Sequence, residues 1–138
     1  QFVVASSNRL PYIDDYFDFV LRVFAPSDDD ELKRVLKSTG YLLTVTPGPR
    51  HLWQLKSFIY SEVKDHSLEN LVPPNFEQLT AQRISYKITP TVDQRMALLE
   101  MTPFYWRASE NNQLALASAS ELEIEIDFVL TLSVKASD

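Results

Sequence analysis

The chain has 138 residues, of which 45% are hydrophobic and 12% aromatic, enough to bury one core and too apolar for a disordered segment. Its formal net charge of −6 argues against broad, nonspecific phosphate binding, which needs Lys and Arg concentrated on one face. With no cysteine, neither a disulfide framework nor a thiolate metal site can form, and two glycines are too few for a Gly-rich dinucleotide turn.

No window approaches the roughly 18 uninterrupted apolar residues of a membrane span, and the start lacks the basic-then-apolar order of a signal peptide. A soluble, cytoplasmic protein without a membrane partner is the expectation. Gln1 has no preceding Met and Phe2 already reads as strand, so the chain is expected to be a fragment or a processed product.

Phe2-Val3-Val4-Ala5, closed by Ser6-Ser7-Asn8, has the pattern of a buried parallel strand with a polar exit turn. Arg9 to Tyr16 crosses the surface, with Asp14 and Asp15 as solvated turn residues. Phe17 to Phe24 is too apolar for a half-exposed strand and suits the interior of a parallel sheet covered on both faces. After Ala25-Pro26, Ser27 is the expected N-cap, with Asp28, Asp29 and Asp30 in a first helical turn that favours negative charge. Leu32, Val35 and Leu36 follow at helical spacing, which favours capping over a metal site for the acidic run. Lys33, Arg34 and Lys37, the densest basic group, complement the helix C-terminus better than they make an RNA patch. Gly40 is expected to supply a left-handed stop, and Tyr41 to Val45 to be the second strand of a right-handed βαβ unit. The loops after the two strands, Ala25-Pro26 and Thr46 to His51, would then open at the carboxyl edge of the sheet, where open α/β sheets bind ligands.

Leu52, Leu55, Ile59 and Val63 predict a second helix packed on the sheet, and His66 to Asn75 a surface loop. Ala81 to Ile88 alternates as a half-exposed strand near a sheet edge. Thr91 and Gln94 make a capping box for a helix through Met96, Leu98 and Leu99 that Pro103 ends. Phe104-Tyr105-Trp106 could stack on a nucleobase but better suits a packed corner, and Asn111 to Ala119 is a further short helix. In the last strand Leu122, Ile124, Ile126, Phe128, Leu130, Leu132 and Val134 define a dry face. The opposite face carries Glu121, Glu123, Glu125 and Asp127, read as solvated rather than metal-binding because no further ligand converges in sequence.

The order VVASS, LPYIDDYFDFVLRVFAP, a capped helix ending in KSTGYLLTVTPGPRHL, then LLEMTPFYWRA resembles the C-terminal part of the catalytic domain of bacterial 23S rRNA (guanine-N1)-methyltransferases of the RlmA type. The Leu-Pro turn and hydrophobic strands are shared by many class I S-adenosylmethionine (SAM) methyltransferases, whereas TPGPRHL and MTPFYWRA are particular to this family. The resemblance implies an α/β fold, the C-terminal portion of a Rossmann-like class I sheet, strands three to seven, parallel with an antiparallel last strand. Residues 1–138 would be a partial SAM-dependent methyltransferase domain acting, within its parent, on guanine N1 of 23S rRNA. It further implies that Ala5, Ser6 and Ser7 border the adenine of SAM, that Phe24, Ala25 and Pro26 lie on the substrate side, and that His51 reaches the cofactor. The base that accepts the N1 proton could be Asp18, His51 or water.

The family's four-cysteine zinc module, its strand-one Gly-rich loop and the acidic residue after strand two have no counterpart in this sequence, so zinc would belong only to the absent module. Transfer needs near-attack alignment of donor and nucleophile, so the chain by itself is expected to be inactive. A sheet lacking strand one would expose Phe17 to Phe24 as an apolar edge, to be covered by a second copy or by Phe2 to Ala5. A class I methyltransferase acting on a small molecule and a noncatalytic binding or assembly module are the alternatives.

Overall fold

The computed structural model describes residues 2–68 and 71–136. Its elements are β1 (Phe17–Val23), α1 (Asp29–Val35), β2 (Leu36–Pro47), α2 (Trp53–Ser57), β3 (Phe76–Ile88), α3 (Val92–Glu100), a 3-10 turn (Pro103–Arg107), α4 (Glu110–Ser118) and β4 (Ile124–Lys135). The strands form one mixed sheet in the order β1-β2-β4-β3. β1 runs parallel to β2, with Phe19 opposite Tyr41 and Val23 opposite Val45; β4 is antiparallel to β2, with Leu43 opposite Leu132 and Pro47 opposite Phe128. The expected α/β class, the βαβ start and the reversed last strand are therefore present.

The chain divides into two compact units, one of Gln1–Pro47, Leu68–Arg83 and Phe128–Asp138, the other of Gly48–Ser67 and Ile84–Asp127. In the first, Leu32 of α1 packs with Leu36, Leu42 and Phe76, flanked by Phe17, Val20 and Val72. Arg34 clamps the segment before β1, donating to the carbonyls of Leu10 and Tyr12 and to the carboxylates of Asp14 and Glu31. Glu31 Oε1 in turn accepts the Leu10 N–H at 2.6 Å. Arg34 thus serves local structure through ion pairs.

Several expectations are corrected. Phe2 to Ala5 is not a strand; Phe2 and Val4 are fully exposed, because an apolar run of four becomes a strand only where a sheet edge accepts its backbone. β1 lies at the edge of the sheet rather than in its interior, and Phe19, Leu21 and Val23 remain about half exposed. Asp28, not Ser27, caps α1 by accepting the Glu31 N–H; Ser27 instead accepts from the Arg22 guanidinium. Gly40 does not stop the helix. It lies within β2 without a positive φ, and a Cβ there would press on the Leu36 side chain and the Asp18 carbonyl, so close packing rather than handedness requires glycine. α2 is only five residues, so Ile59 and Val63 fall beyond it; the Phe58 carbonyl at its end is taken by the Asn112 amide. β3 is longer than expected and exposed along both faces, as an edge strand without a cover.

The capping box of α3 forms as expected, and a second one, Ser109 with Asn112, starts α4. Phe104 packs edge-on against Tyr60, while Trp106 is 85% exposed, so only part of the aromatic corner is packed. β4 starts at Ile124 rather than Glu121, and its dry face changes partway along. Ile124 and Ile126 are buried, and then Asp127, Val129, Thr131 and Ser133, leaving Phe128, Leu130 and Leu132 half-buried.

Candidate functional site

In the first unit, the carboxyl ends of β1 and β2 border an open groove of about 610 Å³, lined mainly by Phe24, Ala25, Pro26, Pro47 and Pro73-Pro74. Its shape begins with the exit of β1. Phe24 has φ 48°, a left-handed conformation costly for an aromatic residue, and is held there by its N–H bond to the Val45 carbonyl and by an edge contact with Phe128. Pro26 ends the extended run and Asp28 starts α1, so the groove wall is a strained turn fixed at both ends. Arg22 is the cation on this rim, bound to Ser27 and to Asp29 at 3.4 Å.

The other expected residues of this unit lie apart. Ala5, Ser6 and Ser7 occupy an exposed turn closed by the Ser6–Arg9 bridge. Asp18 is near the amino end of β1, opposite to the strand end that borders the groove, and its exposed carboxylate pairs with Lys37 at 2.7 Å. That placement does not present Asp18 as a base to anything held in the groove.

The second unit contains His51, and its loop is fastened to the first residues of β4. Gly48 N–H donates to the Asp127 carbonyl at 2.8 Å, Arg50 N–H to Asp127 Oδ2 at 2.9 Å, and Leu52 N–H to the Glu125 carbonyl at 2.8 Å. The Arg50 guanidinium binds Glu125 Oε2 through Nε and Nη2 and lies 4.2 Å over the Trp53 ring; Gln54 binds the same carboxylate oxygen. Gly48 is glycine because a Cβ would collide with the carboxyl group of Asp127. Leu52, with φ 56°, turns the chain from this loop into α2.

His51 Nδ1 accepts the backbone N–H of Asp127 at 3.2 Å, which leaves the proton of the neutral ring on Nε2. Burial lowers its pKa to about 4, helped by the nearby Lys56 and His66 and opposed by Asp127. Lys56 is itself buried and lowered by that burial, with Nζ 2.6 Å from His66 Nε2 and above the Phe104 ring. His66 is lowered in the same way. At neutral pH His51 is thus an uncharged ring suited to donating a hydrogen bond from Nε2, and a weak proton acceptor.

Sequence position puts Arg50 and the candidate His51 in one loop but does not show Asp127, Glu125, Lys56 and His66 as parts of its setting. Glu125 and Asp127 were read as a solvated face, whereas Asp127 is fully buried and Glu125 is held below the usual carboxylate range by Arg50 and Gln54. The available signal was Gly48 among prolines, a position where close backbone approach is a standing reason for glycine. Among the described residues no group of three His, Cys, Asp or Glu side chains could hold a metal ion. Nor is any helix there long and apolar enough to cross a membrane.

No protein-family profile matches the sequence. Among curated proteins, one from Bacillus subtilis (strain 168) named as a 23S rRNA (guanine-N(1)-)-methyltransferase is 30% identical over 98% of this chain and 50% of its own length. The 23S rRNA (guanine(748)-N(1))-methyltransferase of Streptomyces fradiae is 32% identical over 72% of this chain and 37% of its own length. The chain thus spans about half the length, or less, of the relatives it matches. Among solved structures, a methyltransferase from Bacillus halodurans C-125 superposes with TM-score 0.54 at 16% identity, covering 96% of this chain and 70% of that one. The YcgJ protein from Bacillus subtilis gives 0.53 at 18% identity over 97% and 70%. Its sheet is that of the class I methyltransferases, and along nearly its whole length the chain is homologous to proteins named 23S rRNA (guanine-N1)-methyltransferases.

Proposed function

We propose that this chain forms part of the SAM-dependent catalytic domain of a cytoplasmic enzyme that methylates guanine N1 in 23S rRNA. The observation that carries the reading is the match to the Bacillus subtilis relative over 98% of the chain. Supporting it is an apolar groove at the carboxyl ends of the parallel pair β1 and β2, the edge where open α/β sheets take their ligands. SAM, when bound, supplies an electrophilic methyl; the chain's own residues orient the partners and exclude water. Phe24 and Pro26 offer flat apolar surface against which a purine can stack. His51 contributes an Nε2–H donor to an acceptor of the cofactor, a role its neutral ring favours over that of general base. With Asp18 paired at the other end of β1, the N1 proton leaves to water. Ala5, Ser6 and Ser7 remain the candidates for the adenine border, as an exposed turn that binding would order.

The test is methyl transfer by the intact protein that carries this chain, with tritiated SAM and 23S rRNA transcripts. Methylation at N1 blocks the Watson–Crick edge, so reverse transcription is expected to stop at one guanine. Label that enters small phenols or quinones while the rRNA stays unmodified would replace this reading with that of a small-molecule methyltransferase.

A further inference from the structure

Asp127 is fully buried, and in the second unit its carboxyl group is met by the loop carrying His51, at the Arg50 N–H and at Gly48. Its Oδ2 accepts the Arg50 N–H, its carbonyl accepts the Gly48 N–H, and its own N–H is donated to His51 Nδ1. The carboxyl group rests where any side chain at residue 48 would be. A buried carboxyl group without such donors is expensive, so the site is stable only with the loop closed over it.

We propose that Asp127 is the positioning residue of this loop: through Arg50 and Gly48 it seats His51 so that Nδ1 is occupied and the ring proton is kept on Nε2. The role of that donor toward SAM rests on the proposed function; the seating does not. The charged and titratable groups that face His51 are Asp127 on β4, Lys56 on α2 and His66 after it, with Asp65 acting on Lys56 and His66. Asp127 opposes the effect of Lys56 and His66 on the ring, and burial keeps the ring uncharged.

The sequence has two histidines, so long-range proton–nitrogen correlation spectra of the whole chain, with H66Q for assignment, read His51 directly. In the wild type His51 is expected as the Nε2–H tautomer, titrating at about 4. D127A removes the side-chain acceptor of the Arg50 N–H and the carboxyl group packed against Gly48, which loosens the loop while leaving its backbone bonds, so His51 should shift toward the ordinary imidazole value of about 6.5 with both tautomers populated. D127N keeps an acceptor for Arg50 and should retain the Nε2–H tautomer. A folded D127A in which His51 keeps its tautomer and its titration overturns the proposal. Should D127A fail to fold, G48A forces the carboxyl group off the loop by one methyl, and an unchanged His51 there overturns it equally. SAM titration of the intact protein that carries this chain, wild type against H51Q, separates the two readings: equal affinities beside the predicted His51 response would leave the seating intact and remove the cofactor role.

Discussion

At the scale of single residues, His51 ties structure to pH. Its folded-state pKa, about 4, lies below the value near 6.5 of an unfolded imidazole, because burial disfavours the charged ring. Between those values the unfolded chain binds more protons, so stability rises with pH there. The contribution is complete above about 6.5 and is lost as pH falls toward 4. Urea midpoints measured across that window should fall with acid in the wild type, and H51Q should flatten the fall, leaving the share of His66. Glu31, lowered to about 2 by its hydrogen bonds with Arg34 and Leu10, adds its own loss only below about 5, where the unfolded carboxylate begins to protonate, so the histidines are read between about 6.5 and 5. Loop position and family resemblance together make His51 a candidate in the sequence, since a loop that follows a parallel strand is a ligand edge. Asp127 could not be identified so: alternation with Glu123 and Glu125 puts it on a polar face, and only the backbone of Gly48, far away in sequence, makes that face an interior.

Among the elements, those whose ends are set by local chemistry were the legible ones. Thr91 and Gln94 specify the start of α3 within four residues, and the structure shows both reciprocal bonds. The ends of α2 and the phase of β4 depend on distant partners, Asn112 at Phe58 and the Gly48 loop at Asp127, and so were misjudged. The link between α3 and α4 is of the same kind. Arg95 is 3% exposed, and its guanidinium donates to the carbonyls of Pro90, Leu116, Ala119 and Ser120, which joins α3 to the C-terminal end of α4. Nothing in the helical pattern of VDQRMALLE marks that arginine as interior. R95L leaves several buried carbonyls without a donor and should cost about 3 kcal/mol in urea unfolding. R95K keeps the charge but has no planar fork to span four acceptors, so it should recover only part of that loss.

For the whole molecule, the sheet order places β1 at an edge with Phe19, Leu21 and Val23 half exposed beside Tyr41 of β2. A long apolar edge is a template for another strand. Pairing of two copies along β1 is the expected result for the isolated chain, and light scattering on the eluted peak should give about twice 15.9 kDa. L21K puts a charge on that edge and should return the mass to that of one copy; a wild-type chain that already elutes as one copy would remove the pairing. The exposure of this edge follows from the resemblance to a larger sheet, whereas the apolar run by itself argues for an interior strand. Hydrophobicity reports that a strand needs cover, not which chain provides it.

The seated loop also has an optical consequence. Arg50 is held by Glu125 above the ring of Trp53, while Trp106, the other tryptophan of the sequence, is largely in solvent. Replacing Trp106 by Phe would leave a single indole, stacked under a cation that stays in place only while the loop is fastened to β4. Fluorescence from that one ring would then follow the opening and closing of the His51 loop in real time, in dilute solution and without any label.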